Sequence, residues 1–121
     1  MKQIATDFSP DLILVSAGFD IHMNDPLGGM NVTPKGFACL TRSLMDIAAS
    51  CCDGRLVITL EGGYDIEGQR DSVKEVLKEL SGMIKSDMEE PISRANTEMV
   101  EYALRPVLKI HKEYWPSLRS V

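Results

Sequence analysis

The chain is 121 residues long, 44% hydrophobic and 26% charged, ordinary globular values that disfavour disorder, collagen-like repeats and coiled coil and predict a single domain over residues 1–121. Thirteen basic against eighteen acidic residues leave a net charge of −5, without the clustered Lys and Arg that a nucleic-acid surface needs, so no direct nucleic-acid partner is expected. The first apolar run is broken by Asp7, Pro10 and Asp11 and is too short for a bilayer span or a secretory signal, so a cytoplasmic location without a membrane partner is expected.

In chain order, a first strand is predicted over about residues 11–16, where Leu12-Ile13-Leu14-Val15 is a continuous apolar run. Such a run suits a parallel strand covered on both faces, interior to its sheet. A Gly- and Pro-containing loop follows from Gly18 to Val32. Thr33-Pro34 then offers an N-cap with proline in the first helical position. Phe37, Leu40, Leu44, Ile47, Ala48 and Cys51 recur at helical spacing, and Asp53-Gly54 ends that helix.

A second strand over about 55–61 is separated from the first by this helix, which predicts a βαβ crossover between parallel strands. A helix over about 66–85 carries Val73, Val76, Leu77, Leu80, Met83 and Ile84 on one face, and its other face, Lys74, Glu75, Lys78 and Glu79, reads as solvated surface. Residues 86–92 read as a polar connection broken by proline. Asn96 or Thr97 caps a further helix through Met99, Val100, Ala103, Leu104, Val107, Leu108 and Ile110, which Pro106 is expected to kink or divide. Tyr114, Trp115 and Leu118 form an apolar tail expected to pack on the body or on a partner. The fold class is therefore α/β, a parallel sheet with flanking helices in the order β-α-β-α-α. Cys39, Cys51 and Cys52 have neither the even count of a disulfide framework nor the spacing of a structural zinc site, and read as partly buried thiols.

Chemistry-bearing residues cluster after the two strands. Ser16-Ala17-Gly18-Phe19-Asp20, continuing to Asp25-Pro26-Leu27-Gly28-Gly29, follows the first strand, and Leu60-Glu61-Gly62-Gly63-Tyr64-Asp65 follows the second. A carboxylate and a phenol thus emerge at the C-terminal ends of parallel strands, where open α/β sheets hold their ligands. Over roughly residues 8–82 this ordered set resembles the C-terminal part of the zinc-dependent deacetylase superfamily of histone deacetylases, acetoin-utilisation proteins and acetylpolyamine amidohydrolases.

The resemblance implies part of an arginase/deacetylase-like three-layer fold, with residues 1–85 family-like and 86–121 a helical C-terminal extension. It implies zinc as cofactor in the complete site, with Asp20 as one metal ligand. Tyr64 becomes the phenol that donates to the substrate carbonyl oxygen as that atom gains charge. Leu27, Phe19, Gly62 and Gly63 would line the substrate channel, with Leu27 at its mouth favouring an acetyl-lysine-like linker over a polycation. His22, Asp25 and Glu61 are expected behind the first layer of contacts or in the loops. Asp25 forms a turn before its proline, and Glu61 accepts hydrogen bonds from loop backbone.

The family's Asp-x-His metal ligands and tandem histidine pair have no counterpart before Asp20. The chain is therefore expected to be a C-terminal piece of the catalytic domain, inactive alone and not binding zinc tightly. Its substrate in the complete enzyme would be an acetylated lysine or a small acetylated amine. An exposed sheet edge predicts a homo-oligomer or an N-terminal companion chain. A non-catalytic oligomeric interaction module derived from the same fold is the alternative. A nucleotide-binding α/β unit ranks last, since neither glycine turn matches a phosphate-binding fingerprint.

Overall fold

In the computed structural model, which describes residues 1–119, Ile13–Ala17 (β1) runs parallel to Leu56–Leu60 (β2). The register pairs Ile13 with Leu56, Val15 with Ile58 and Ala17 with Leu60. The connection is the helix Pro34–Cys51 (α2), whose N-cap Thr33 accepts the Gly36 N–H at 3.1 Å. Proline at the first helical position costs nothing there, because that N–H would have no helical partner. A second helix, Ile66–Leu80 (α3), starts at Asp65, whose carboxylate accepts the Gly68 N–H at 2.9 Å.

Helices α2 and α3 pack together on one face of the two strands. Phe19, Phe37 and Val76 are buried at the centre, with Ala17, Ile21, Val32 and Val73 around them. The Phe19 and Phe37 rings lie 4.8 Å apart at 32°, and burying each side chain contributes roughly 1.5–3 kcal/mol. The loop after β1 is closed by backbone bonds between Ile21, Met23 and Val32. That closure returns the chain to Thr33 at the start of α2.

Several expectations are corrected. β1 is not covered on both faces among the described residues: Ile13, Val15 and Ala17 face the helices, whereas Leu14 is 71% exposed and Val57 on β2 is 47% exposed. Local hydrophobicity records what a strand can bury, and this face has no described element against it. A helix not foreseen, Lys2–Phe8 (α1), precedes β1, so the order begins α-β-α-β-α. Its apolar residues Ile4, Ala5 and Phe8 take helical spacing only in hindsight, because no cap or long stripe marks so short an element.

α3 ends at Leu80 rather than near residue 85. Gly82 takes φ 74°, and the Met83 N–H reaches back to the Lys78 carbonyl at 2.9 Å, a left-handed helix stop that only glycine adopts cheaply. Glu79, expected on the solvated face of this helix, is instead fully buried and latches down the chain after it, accepting the Ser86 N–H at 2.9 Å and its hydroxyl at 2.7 Å. A short helix, Glu89–Ser93 (α4), replaces part of the expected connection.

The last helix, Thr97–His111 (α5), is capped by Asn96, which accepts the Met99 N–H at 3.1 Å. Pro106 does not divide it. The lost donor leaves only the Tyr102 carbonyl without its bond, on a helix with no buried residue. The tail packs partly as expected: Leu118 is buried in the 3₁₀ turn Pro116–Leu118, and Trp115 meets Phe8 edge-on with ring centroids 6.4 Å apart. Tyr114 remains 70% exposed.

Candidate functional site

The loops after β1 and β2 are joined at the C-terminal end of the sheet. The Phe19 N–H donates to the Gly62 carbonyl at 2.7 Å, and the Glu61 N–H to the Ala17 carbonyl at 3.0 Å. These bonds extend the strand pairing by one step and set Asp20 beside Gly62.

The Asp20 carboxylate lies in a glycine cradle. A Cβ at Gly18 would stand 2.6 Å from its Oδ1, and a Cβ at Gly62 would stand 3.2 Å from its Oδ2. Gly28 packs on the Asp20 carbonyl so closely that no side chain fits there. Side chains at these glycines would collide with the carboxylate or its backbone, which is the steric reason for glycine on three sides of it. The carboxylate accepts no hydrogen bond from the described residues.

Tyr64 follows two residues after Gly62. Gly63 takes φ 136°, and a Cβ on it would stand 2.9 Å from the Phe19 Cβ, so a side chain there meets both strain and crowding. The Tyr64 ring is 60% exposed, and its hydroxyl makes no hydrogen bond to the described residues. Leu27 is 71% exposed on the neighbouring turn.

Asp25 does more than turn the chain. Its Oδ1 accepts the N–H groups of Leu27 at 2.8 Å and Gly28 at 3.1 Å, while its Oδ2 accepts the Tyr64 N–H at 2.7 Å across 39 positions of sequence. Burial pushes its carboxyl pKa up, but backbone donors from Tyr64, Leu27, Gly28 and Asp65 together outweigh that and hold it below the usual carboxylate value.

Of the other expected site residues, His22 lies on the loop as expected, whereas Phe19 and the Glu61 side chain differ from expectation. Phe19, assigned by resemblance to the substrate channel, is 4% exposed and packed in the core on Phe37. His22 is buried on the loop, stacked on Phe37, and its Nδ1 accepts the Asn24 N–H at 3.2 Å with the Asp65 carboxylate 3.6 Å away. Gly68 lets α3 approach this ring; a glycine in the first turn of a helix was the available signal for that contact. The Glu61 side chain is exposed and accepts no loop hydrogen bond among the described residues; only its backbone N–H joins the two loops.

Among the described residues no three His, Cys, Asp or Glu side chains group as a metal site. Asp20 alone, a carboxylate with open lone pairs in a tight cradle, has the chemistry of one ligand, and catalytic zinc needs about three. The described residues therefore do not amount to a zinc site.

A histone deacetylase domain model matches residues 1–80. The chain is 39% identical over 115 residues to histone deacetylase 15 of Arabidopsis thaliana, covering 95% of this chain and 20% of that protein. It is 37% identical over 128 residues to histone deacetylase 4 of Caenorhabditis elegans, covering 99% of this chain and 14% of the relative. These alignments run into the C-terminal helices, beyond residue 82 where the motif-based resemblance stops. The crystal structure of the HDA15 HD domain superposes with a TM-score of 0.77 at 36% identity, covering 98% of this chain and 29% of that one. The chain thus spans a fifth or less of the length of these curated relatives.

Proposed function

Since the chain belongs to the histone deacetylase family, we propose that it supplies the Asp20 and Tyr64 portion of an active site that hydrolyses an acetylated amine of the acetyl-lysine kind. The reading is supported above all by the Asp20 carboxylate, which stands open in its glycine cradle beside Gly62, two residues from Tyr64, at the C-terminal end of parallel strands.

In that site Asp20 is one zinc ligand, and the other ligands and the histidine acid–base pair come from polypeptide outside these 121 residues. When complete, such a centre would polarise an amide carbonyl and supply a nucleophilic water. This chain's own contribution to the chemistry is the Tyr64 phenol, whose O–H donates to the substrate oxygen more strongly as charge accumulates there. Leu27, exposed at the mouth, contacts the aliphatic linker of the substrate. Alone, the chain neither retains zinc tightly nor turns over.

The test pairs zinc content with hydrolysis of a fluorogenic acetyl-lysine substrate, for the chain alone and co-expressed with a family segment bearing the Asp-x-His and tandem histidines. Turnover that appears only in the pair, and disappears in Tyr64→Phe, is expected. Stoichiometric zinc with chelator-sensitive turnover by the chain alone would contradict its dependence on another segment, and a paired complex without activity would remove the catalytic role.

A second reading, an oligomeric interaction module without catalysis, is favoured by one observation. Leu14 and Val57 leave an apolar patch on the face of the sheet away from the helices. Under this reading the chain self-associates, and Leu14→Lys returns it to a monomer in sedimentation velocity. A wild-type chain that stays monomeric at high concentration ends this reading.

A further inference from the structure

We infer that Asp25 is the positioning residue for Tyr64: one carboxylate ties the backbone of the Leu27 turn to the backbone of Tyr64 and so decides where the phenol stands. The catalytic consequence rests on the deacetylase reading; the positioning itself does not.

On its C-terminal side Tyr64 runs into Asp65, the cap of α3, but on the side that leads in from β2 little else holds it. Two glycines precede it, Gly63 has φ 136°, and glycine backbone is the softest in the chain. The ring is largely exposed and its hydroxyl is unbonded among the described residues, so no contact at the phenol end fixes it. The Tyr64 N–H, by contrast, meets Asp25 Oδ2 at 2.7 Å, a short bond to an ionised acceptor and therefore a strong one. Asp25 is itself 9% exposed and pinned through its other oxygen by Leu27 and Gly28. The anchor is thus a rigid turn, not a free side chain.

The arrangement also couples two functions. Leu27 and Tyr64 hang from opposite oxygens of the same carboxylate, so the side chain that meets the substrate linker and the one that meets its carbonyl keep a fixed spacing. Replacing carboxylate by amide separates the two arms. In Asp25→Asn the side chain has one acceptor oxygen, and the Leu27 and Gly28 donors, two and three positions along the same turn, compete for it against Tyr64 and its neighbour Asp65, which lie across 39 or more positions of sequence. The oxygen stays with the turn, and the amide NH₂ faces the Tyr64 N–H, donor against donor.

The experiment is amide NMR and hydrogen exchange on the whole chain. In the unmodified protein the Tyr64 amide is expected to be protected about a hundredfold over the Gly63 amide, which has no described partner. In Asp25→Asn the Tyr64 amide is expected to shift upfield and exchange roughly tenfold faster, with Leu27, Gly28, Val15 and Ile58 changing less than about twofold. An unprotected Tyr64 amide in the unmodified chain, or one unchanged in the variant, would overturn the inference. So would equal loss at Val15 and Ile58, which is general destabilisation.

In the paired complex described above, Asp25→Asn is expected to lower kcat about tenfold with KM within about twofold, because a misplaced phenol fails the transition state more than the ground state. A rise in KM at constant kcat would overturn the catalytic consequence. An inactive unmodified complex overturns the deacetylase reading instead, while the Tyr64 amide still decides the positioning.

Discussion

Phe19 donates its backbone N–H to the Gly62 carbonyl at 2.7 Å, and on the same stretch its Cβ lies 2.9 Å from where a side chain at Gly63 would begin. One core residue therefore both aligns the glycine turn and forbids it a side chain. Gly63→Ala must leave φ 136° or displace Phe19, and is expected to lower the unfolding free energy by about 1–3 kcal/mol. Gly29→Ala, at φ 63° in the left-handed region and opening on empty space, is expected to cost only about 1 kcal/mol. Urea unfolding of the two variants tests this: equal losses would mean that neither the more extreme φ of Gly63 nor its contact with Phe19 adds anything.

Asp25 should leave a mark on acid stability. Its carboxyl has a lower pKa folded than the ordinary 3.8, so the folded state binds its proton less readily than the unfolded chain does. The stabilisation is complete above about pH 4–5, begins to fade as the pH approaches the unfolded value, and is lost as it falls through the folded one. Asp71 has the same sign, through its hydrogen bond with Arg70, but that pair is exposed and screened by solvent. Unfolding free energies measured at several pH values below 5 should fall less steeply in Asp25→Asn than in the unmodified chain. Parallel curves would dissociate the backbone bonds from the acid sensitivity.

The main elements were legible because their signals are local. β1 and β2 announce themselves as short apolar runs with branched side chains, and α2, α3 and α5 as stripes every three or four residues with Thr33 or Asn96 at the start. The placement of Asp20 and Tyr64 in the loops after β1 and β2 was legible from the strand and glycine motifs that surround them. What was not legible has a long-range cause. The bond from Asp25 to Tyr64 spans 39 positions, and nothing near either residue encodes it. The burial of Phe19 and His22 depends on Phe37 and Gly68 arriving from other elements. The stop at Gly82 was hidden by Met83 and Ile84, which continue the apolar pattern past the end of the helix.

Trp115 holds the two ends of the described chain together. It packs on Phe8 of α1, and the Ser117 N–H next to it donates to the Asp7 carboxylate at 3.0 Å. Trp115→Ala is expected to cost roughly 1–3 kcal/mol, less than a fully buried aromatic, because the pair sits at the periphery. Met99→Lys on exposed α5 is expected to change stability by less than about 0.5 kcal/mol. Trypsin cleavage at Lys2 that accelerates in the first variant and not in the second would establish that α1 is held by this contact, and unchanged cleavage in both would refute it.

Glu79 makes the most exacting stability prediction. It has no exposed surface, stands 3.3 Å from the mostly buried Arg42 guanidinium without a hydrogen-bonding angle, and accepts both the N–H and the hydroxyl of Ser86. Removing it leaves the mostly buried Arg42 with the exposed Asp46 carboxylate, 3.3 Å from its Nε, as its ion-pair partner and takes the acceptor from both donors of half-buried Ser86, whereas an isosteric amide keeps the acceptor for Ser86 and loses only the charge. Glu79→Ala is expected to cost about 2–4 kcal/mol, less than a wholly unpaired buried charge because Asp46 still faces Arg42. Glu79→Gln should cost less, because the amide oxygen still meets Ser86. The segment from Lys85 to Met88 should loosen with it, since past the Met83 and Ile84 N–H bonds to Lys78 the described tie to α3 is Ser86, and proteolysis at Lys85 reads that directly. If Ala and Gln destabilise equally, the Arg42 charge dominates the site; if neither speeds cleavage at the exposed Lys85, the latch lies in Cys39 and Ser43, which reach the Asp87 carbonyl and the Met88 sulfur from α2.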